Sequence, residues 1–252
     1  MELKDSVIVI TGAGQGLGQM MAITLAQSGA ELALIDVNEH ALRSTQEQCH
    51  MLSTKALIYK VDVTNEEEVE QVFTDIIDDF GKLDGLINNA GILRDGLLVK
   101  VKDGNVSKMS LQQFNSVIDV NVAGTFLCGR EAAVKMIEGN RKGVIINISS
   151  VARAGNIGQT NYAASKAAVA TMATCWAKEL ARYGIRAAAI APGIVKTAMA
   201  EQLKPEAITR LEGMVPIGRM GQSSEIAHTV KYIFENDYVT GRVLEVDGGL
   251  RM

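Results

Sequence analysis

The chain has 252 residues, of which 47% are hydrophobic and 21% are charged, so it holds ample apolar material for a folded core. The 25 basic and 29 acidic residues give a formal net charge of −4, which argues against a nucleic-acid-binding protein and against electrostatic attachment to a membrane surface. No apolar stretch approaches the roughly 20 residues of a membrane-spanning helix, and the sequence opens on a strand-like run rather than a signal peptide.

The cysteines indicate a reducing compartment, and neither the cysteines nor the histidines show a spacing that would bind a metal ion. The three cysteines are far apart and form no CxxC pair, which is typical of reduced thiols in a cytosolic protein. Cys128 and Cys175 fall in apolar helical patterns, which predicts core positions. The three histidines are scattered, so no Cys/His spacing suits a metal ion. We therefore expect a cytoplasmic protein without a metal centre.

Strand-like apolar runs alternate with helical patterns in chain order. Strands are predicted at 6–10, 31–35, 57–61, 83–87, 143–148, 186–190 and 242–246. Helices are predicted at 17–28, 39–50, 66–80, 111–138, 162–183 and 223–235. Strands without polar alternation are typical of a parallel sheet covered on both faces, so the pattern predicts a doubly wound, three-layer α/β fold of the Rossmann type. No linker or internal repeat divides the chain, which predicts one domain over residues 1–252.

Two stretches depart from this alternation. Residues 94–110 are polar and contain two glycines, which predicts a surface insertion. Residues 196–219 follow a Pro-Gly pair and are rich in Met, Lys and Glu. A segment of this kind after the end of a strand is where an active-site lid is expected.

The first predicted strand runs into the sequence TGAGQGLG at 11–18 and then into a helix. Glycines let the backbone turn tightly and approach a pyrophosphate, while the start of the helix offers free N–H groups and a partial positive charge. The alternative is an ordinary tight turn, but the order of strand, glycines and helix favours a dinucleotide site. The candidate cofactor-binding residues of this turn are Gly12, Gln15, Gly16, Leu17 and Gly18.

Asp36 ends the second strand, at the separation from the glycine turn that is expected of an acid binding the adenosine ribose. The alternative is a turn or helix-capping aspartate. A 2′-phosphate would bring negative charge against this carboxylate, and Gln15 stands where a basic residue would be needed. Arg43 is the nearest downstream base, but it could pair with Glu39 or Glu47 at helical spacing. The sequence therefore predicts a preference for NAD(H) over NADP(H).

Tyr162 and Lys166 are four residues apart in a predicted helix, so their side chains share one face. A phenol titrates near pH ~10, and a nearby ammonium is expected to lower this pKa and ease proton exchange with a carbonyl oxygen. The alternative is a solvated Tyr/Lys pair, but the neighbourhood NYAASKAAVATM is small and apolar. The pair is therefore a candidate for catalysis.

The glycine turn, an Asn-Asn-Ala-Gly at 88–91, the Tyr-x-x-x-Lys at 162–166 and a closing EVDGGL at 245–250 together resemble the short-chain dehydrogenase/reductase family. The resemblance covers nearly the whole chain and is nearest to the 3-oxoacyl-carrier-protein reductases. It implies a nicotinamide-dependent enzyme that interconverts a ketone and a secondary alcohol, with a 3-oxoacyl thioester of acyl carrier protein or coenzyme A as substrate. It also implies a homotetramer. The alternatives are an NAD-dependent dehydrogenase of a small hydroxy compound and a non-catalytic cofactor-binding subunit.

The same resemblance implies roles for individual residues. Lys166 would bind the nicotinamide ribose, and Asn121 would hold a water that links Lys166 to solvent. The implied cofactor contacts are Asn89 and Gly91 on the ribose side, Asp62 and Val63 at the adenine, and Val195 and Thr197 at the carboxamide. Of two arginines that the branch would use to dock an acidic carrier, Arg141 matches, whereas Tyr183 occupies the second position.

Two neighbouring serines compete for the substrate-orienting role that the family places after this strand. The register of the strand at 143–148 points to Ser150, whereas counting back from Tyr162 points to Ser149. We give the strand more weight because a sheet fixes positions more rigidly than a loop does. In either case the serine could merely satisfy backbone groups at the strand end.

Overall fold

The computed structural model describes residues 1–196 and 205–251. Its central sheet has seven parallel strands: β1 (Val7–Thr11), β2 (Glu31–Asp36), β3 (Ala56–Lys60), β4 (Gly85–Asn88), β7 (Gly143–Ile148), β8 (Ile185–Pro192) and β11 (Val243–Val246). Their order across the sheet is β11, β8, β7, β4, β1, β2, β3. The central strands β1, β4 and β7 are buried along their whole length, as the unbroken apolar runs require.

Helices cover both faces of the sheet and form two apolar cores. One face carries α1 (Gly16–Ala26), α2 (Glu39–His50) and α8 (Ser223–Glu235). The other carries α3 (Glu66–Phe80), α5 (Thr125–Glu138) and α6 (Thr160–Glu179). The predicted doubly wound, three-layer fold is confirmed as a single α/β domain. Among the helices of the described residues, none is long and apolar enough to cross a membrane.

Capping residues explain why several helices begin and end where the sequence predicts. Asn38 caps α2 by accepting a hydrogen bond from the backbone N–H of Ala41, and Asn65 caps α3 by accepting one from Glu68. Glu68 also accepts a hydrogen bond from the side chain of Asn65. The helix α3 ends at Gly81, which adopts the left-handed conformation with φ of 75°.

The long helix predicted at 111–138 is interrupted by one wide turn. It consists of α4 (Leu111–Ile118), a π-helical segment (Asp119–Gly124) and α5. Such π segments are rare and often mark functional sites, and this one contains Asn121.

Of the two cysteines that were predicted to lie in the core, only one does so. Cys128 is buried, but Cys175 lies on the exposed side of α6, so the prediction for Cys175 was wrong.

Residues 94–110 are largely exposed and contain a hairpin that the sequence analysis missed. Its strands are β5 (Val99–Lys102) and β6 (Asn105–Lys108). Of the proposed lid, residues 197–204 lie outside the described residues, and the following part forms α7 (Pro205–Gly213). Two short strands, β9 (Val195–Lys196) and β10 (Gly221–Gln222), pair with each other on either side of the lid segment.

Candidate active site

The predicted site residues that the structure describes meet at the carboxyl edge of the sheet, where the strand order reverses. From β1 the chain proceeds outward to β2 and β3 and then returns to β4 on the other side of β1. A crevice at such a reversal is the usual place for a ligand in an open α/β sheet. The glycine turn follows β1, the Asn-Asn-Ala-Gly segment follows β4, and the two serines follow β7.

The glycine turn has the shape of a cradle for a pyrophosphate. Gly16 adopts φ of 58°, and a Cβ built there would meet nothing within 4 Å, so the turn is open toward the crevice. A Cβ on Gly18 would lie 2.0 Å from the carbonyl oxygen of Gly12, which shows that the helix can approach the strand only with glycine at this position. The first turn of α1 has no acidic residue, and Gln15 makes no capping hydrogen bond there. The backbone N–H groups at the start of α1 are therefore suited to binding an anion.

Asp36 lies beside the glycine turn, as a ribose-binding acid must. One carboxylate oxygen accepts a hydrogen bond of 3.1 Å from the backbone N–H of Gly14, and the other accepts one of 3.0 Å from Asn38. The helix cap of α2 is Asn38 rather than Asp36. Arg43 pairs with Glu39 at 2.5 Å, which was one of the two pairings expected.

Asn89 and Thr11 join the ends of two neighbouring strands. The amide of Asn89 donates hydrogen bonds to the carbonyl oxygens of Thr11 and Gly12, at 3.1 and 3.0 Å. In return, the hydroxyl of Thr11 accepts from the backbone N–H groups of Asn89 and Ala90, both at 3.0 Å. Sequence reasoning missed Thr11. Its side chain holds the Asn-Asn-Ala-Gly segment against the glycine turn.

Asp62 and Val63 follow β3 at the same edge. The carboxylate of Asp62 accepts hydrogen bonds from the backbone N–H and the hydroxyl of Thr64, at 2.9 and 2.8 Å. Val63 is buried and touches Gly124, where a Cβ would lie 2.7 Å from the valine side chain. The turn after β3 is therefore fixed against the π segment.

Asn121 fixes the other side of the crevice. Its Oδ1 accepts from the backbone N–H of Ile92 at 2.8 Å, and its Nδ2 donates to the carbonyl of Ile92 at 3.1 Å and to the hydroxyl of Ser165 at 3.0 Å. A Cβ on Gly91 would lie 3.2 Å from Asn121 Oδ1 and 3.5 Å from Lys166 Nζ. Asn121, Gly91 and Lys166 are thus brought together by three separate segments of the chain.

Lys166 is buried on the inner face of α6. Its ammonium donates a hydrogen bond of 2.8 Å to the carbonyl oxygen of Ile148 at the end of β7, and it lies 5.6 Å from the centre of the Tyr162 ring. Burial lowers the pKa of Lys166 to about 8. The amine can therefore both hold and release a proton near neutral pH.

Tyr162 shows a different pKa from the one expected. Burial raises the pKa of its phenol, the carboxylate of Asp95 raises it further, and a hydrogen bond with Ser150 acts in the opposite direction. The expected lowering by Lys166 is not seen: burial is the largest influence on the phenol, and the ammonium is bound to Ile148 and lies 5.6 Å from the ring centre. The phenol consequently keeps its proton at neutral pH.

The two serines have distinct environments. Ser149 is buried, and its hydroxyl donates a hydrogen bond of 2.6 Å to the backbone carbonyl of Lys166. Ser150 is only partly buried, and its hydroxyl accepts from the N–H of Ala152 and faces the phenol of Tyr162. The strand register and the geometry agree in bringing Ser150, rather than Ser149, to Tyr162.

Sequence reasoning missed Asn147, which holds α6 against the sheet. Asn147 lies in the middle of the apolar run of β7 and is fully buried. Its amide donates a hydrogen bond of 3.0 Å to the carbonyl of Val169 in α6, and its Oδ1 accepts one of 3.0 Å from Asn88 in β4. An asparagine inside an otherwise continuous apolar strand was the available signal, since a buried amide needs partners.

A polar clamp, which we define as Arg94–Gly96 with Gln113, Gln159 and Asn161, also escaped the sequence analysis. The carboxylate of Asp95 accepts a hydrogen bond of 3.0 Å from the side chain of Gln159, and the carbonyl of Arg94 accepts one of 2.9 Å from Asn161. Gln113 of α4 donates to the carbonyl oxygens of Arg94 and Asp95. The clamp joins the start of the insertion to the start of α6, immediately before Tyr162.

The last predicted contacts follow β8. Gly193 packs tightly against Asp247, where a Cβ would lie 2.7 Å from the Cα of that residue. Val195 lies in β9 and pairs with Gly221. Thr197 lies outside the described residues, so its predicted contact with a carboxamide stays a prediction.

This fold and this edge of the sheet define a nicotinamide-dependent oxidoreductase of the Rossmann type. The family model described as "Enoyl-(Acyl carrier protein) reductase" matches residues 12–251. The chain therefore belongs to this family of short-chain dehydrogenases/reductases.

Three relatives illustrate the range of the similarity. The chain is 39% identical to the 3-oxoacyl-[acyl-carrier-protein] reductase FabG of Thermotoga maritima over 99% of both chains. It is 35% identical to the FabG of Staphylococcus aureus over the full length of both. It is also 34% identical to (2S)-[(R)-hydroxy(phenyl)methyl]succinyl-CoA dehydrogenase subunit BbsD of Thauera aromatica, over 99% of this chain and 98% of that subunit.

Proposed function

We propose that this protein reduces 3-oxoacyl thioesters to 3-hydroxyacyl thioesters, with NADH as the preferred reductant. The observation that carries the proposal is the meeting of a protonated phenol, a serine hydroxyl and a buried amine beside an anion-binding glycine turn. The names of the relatives from Thermotoga maritima and Staphylococcus aureus support a 3-oxoacyl thioester as the substrate class.

The chain's own residues divide the work of adding a proton to the substrate oxygen. The hydroxyl of Ser150 orients the ketone by donating a hydrogen bond to its oxygen, and the phenol of Tyr162 donates the proton to the same oxygen. Lys166, with a pKa of about 8, stabilises the resulting phenolate and returns a proton to it. Asn121 holds the segment at Ile92 in place beside this amine.

The crevice fits a nicotinamide dinucleotide. In the proposed arrangement, the open glycine turn holds the pyrophosphate, Asp36 binds the adenosine ribose hydroxyls, and Lys166 binds the nicotinamide ribose. When bound, the nicotinamide exchanges a hydride with the carbon of the ketone or alcohol. The further contacts assigned to it are Asn89 and Gly91 at the ribose, Asp62 and Val63 at the adenine, and Val195 and Thr197 at the carboxamide.

The preference for NAD(H) rests on the charges around Asp36. A 2′-phosphate would add roughly −1.5 to −2 charges beside this carboxylate. Arg43 is held by Glu39, and Val37, which follows Asp36, is exposed and apolar. An uncompensated like-charge contact of even ~2.7 kcal/mol would give about a hundredfold preference.

A second candidate function is an NAD-dependent dehydrogenase of a hydroxy compound. The observation that favours it is Asp36, together with the similarity to a subunit named as a CoA-thioester dehydrogenase. A third, a cofactor-binding subunit without turnover, is disfavoured by the complete set of Ser150, Tyr162 and Lys166.

We also propose an oligomeric state and a cellular location for the protein. A homotetramer is supported by exposed apolar side chains along α5, namely Phe126, Val134 and Ile137, beside Trp176 of α6. A cytoplasmic location is supported by the free thiols, of which Cys49 and Cys128 are buried with pKa values raised to about 11 and about 12.

A substrate panel tests the proposal. We expect NADH-dependent reduction of acetoacetyl thioesters carried by acyl carrier protein or coenzyme A, and weaker activity with small free ketones and alcohols. Activity confined to small hydroxy compounds would replace the proposal by the second candidate. Tight NADH binding without turnover on any member of the panel would favour the third.

A further inference from the structure

The hairpin of β5 and β6, which we call the basic hairpin (Val99–Lys108), projects from the domain. Its register pairs Lys102 with Asn105 and leaves Asp103 and Gly104 as a two-residue turn. Both turn residues have positive φ, 50° and 76°, which defines the tight turn that matches the twist of a hairpin. All eight strand residues are exposed, so the hairpin does not contribute to either core of the domain.

The basic hairpin has an apolar face and a basic face. Residues paired across an antiparallel ladder share a face. Val101 and Val106 are such a pair, and Val99 lies beside them on the same face, together with its own partner Lys108. These three valines are 54–71% exposed. Neighbouring positions point to the other face, which carries Lys100 and Lys102.

Charge also sets the hairpin apart. It carries three lysines against one aspartate, in a chain whose formal net charge is −4. None of the three lysines forms an ion pair with any residue in the described parts of the chain. A projecting element with unpaired cations and exposed valines is suited to an acidic protein surface that also offers apolar side chains.

The base of the hairpin is attached to the active site through the polar clamp. The backbone N–H of Gly96 donates a hydrogen bond of 2.8 Å to the carbonyl of Gly158, and Asp95 binds Gln159. Gly158 and Gln159 immediately precede the helix that carries Tyr162. A four-residue strand spans about 13 Å, so a protein docked on the hairpin would lie within reach of the catalytic crevice.

The arginine that the family resemblance would use for docking is engaged elsewhere. Arg141 donates a hydrogen bond of 2.9 Å from its Nε to the buried carboxylate of Asp84. Arg141 also precedes β7, and therefore lies at the opposite edge of the sheet from Tyr162 and Ser150. The basic hairpin, by contrast, is attached through the polar clamp to the start of α6, the helix that carries Tyr162.

We propose that the basic hairpin is the docking surface for an acidic carrier protein that delivers the thioester. The lysines bind carboxylates of the carrier, and the valine face packs against its apolar side chains. This inference rests on the proposed function, because it names the partner of the same active site.

Charge reversal on the hairpin tests the inference. The test variant is Lys100→Glu/Lys102→Glu/Lys108→Glu, and the matched control reverses three exposed lysines elsewhere, Lys4→Glu/Lys60→Glu/Lys142→Glu. Each is compared with wild type on an acetoacetyl group carried by acyl carrier protein, by coenzyme A, and by N-acetylcysteamine, a small uncharged thiol. Direct titration of a fluorescently labelled acyl carrier protein measures docking without turnover.

We expect the hairpin variant to weaken binding of the carrier protein and to raise its KM by roughly tenfold or more, with an effect that shrinks at high salt. Turnover of the N-acetylcysteamine thioester should stay within about twofold of wild type, and the control variant should resemble wild type throughout.

Four results would overturn the inference: no change with the carrier-borne substrate, an equal loss on the small thioester, a larger loss with coenzyme A, or dissociation of the oligomer by light scattering. The last would identify the hairpin as an interface between copies of this chain. If wild type reduces no thioester at all, the proposed function fails, and the titration still decides whether the hairpin binds the carrier.

Discussion

Tyr162 and Lys166 show how the protein environment prepares two ordinary side chains for proton transfer. Burial raises the pKa of the phenol and lowers that of the amine to about 8, so the phenol holds its proton more tightly than the amine does. Once the phenol has given up its proton, transfer of a proton from the Lys166 ammonium to the phenolate is therefore favourable. The same burial that tunes the pair makes the charged form of Lys166 expensive to keep in the fold.

Replacing Tyr162 by phenylalanine should remove the proton donor and little volume. We expect kcat to fall by about 10²–10⁴-fold, which is the usual contribution of a general acid. NADH affinity, followed by fluorescence titration, should stay close to that of wild type. A kcat within about threefold of wild type would refute the assignment of Tyr162 as the proton donor.

Alanine substitutions at the two serines should have different effects, one on turnover and the other on stability. Ser150→Ala should lower kcat by roughly tenfold or more, because it removes the hydroxyl that faces Tyr162. Ser149→Ala should leave kcat nearly unchanged and lower the free energy of unfolding by ~1 kcal/mol, because it removes a buried hydrogen bond to Lys166. The reverse order in kcat, with both variants folded, would show that the count from Tyr162 was the better guide.

Lys166→Met should make the protein more stable at pH 7 while abolishing turnover. The unfolded chain holds the lysine proton up to about pH 10, whereas the folded chain releases it near pH 8, so the wild type gains stability as the pH rises through this interval. The advantage of the variant should therefore shrink between pH 8 and pH 10 in urea unfolding. Lys60→Met, at an exposed position, serves as the control. A variant less stable than wild type at pH 7 would contradict this account.

At the scale of elements, the site depends on how α6 is fixed to the sheet. Asn147 and Ser149 of the segment ending β7 bind the carbonyl oxygens of Val169 and Lys166, and Lys166 in turn binds that of Ile148. These three contacts hold the helix at one position along the strand. The polar clamp holds its first turn, where Tyr162 lies.

Asn147→Ala should loosen this contact between strand and helix. It leaves the amide of Asn88 and the carbonyl of Val169 without their partner in the interior, so we expect a loss of about 2–4 kcal/mol in the free energy of unfolding. Asn115→Ala, on the exposed side of α4, should cost less than ~0.5 kcal/mol and is the matched control. Equal effects of the two substitutions in chemical denaturation would mean that the amide of Asn147 does not hold the helix.

The elements differ in how well the sequence predicts them, for physical reasons. The bounds of α2, α3, α8 and β7 agree with the prediction, because caps and unbroken apolar runs are local signals. The π segment was not predicted, since nothing local distinguishes it from the surrounding helix. The basic hairpin was missed although its Asp-Gly turn is a hairpin signal, because its valines are exposed and its strands join neither core.

The residues of the candidate site also differ in how well the sequence predicts them. Glycines, Asp36, Tyr162 and Lys166 belong to short motifs and could be named from the sequence. Thr11, Asn147 and the polar clamp act through hydrogen bonds to residues distant in the chain, and these contacts exist only once the strands are in order. The pKa of Tyr162 was predicted in the wrong direction because burial cannot be read from spacing alone.

At the scale of the whole molecule, three features are arranged around one edge of the sheet. The reversal of strand order creates the crevice, the glycine turn and Asp36 lie on its β1 and β2 side, and Ser150 with α6 lies on its β7 side. The polar clamp joins the base of the basic hairpin to the first turn of α6. In the proposed account, recognition of the cofactor, catalysis and delivery of the substrate therefore fall to different segments of the chain.

The variant Asp36→Ala/Val37→Arg tests whether Asp36 sets the preference for NADH over NADPH. It removes the carboxylate and adds a cation at an exposed position next to it, so it should relax or reverse the preference for NADH. Val37→Arg alone is the matched control, because it adds the cation and leaves the carboxylate beside Gly14. If the double variant keeps the full preference of wild type in kcat/KM, Asp36 does not select the cofactor.

The most direct test of the account is the steady-state kcat/KM of wild type for NADH and for NADPH, measured with the same acetoacetyl thioester. The account predicts a value about a hundredfold higher for NADH, because the carboxylate of Asp36 meets the ribose with no free cation from Arg43 to offset a phosphate. An equal or higher value for NADPH would contradict it.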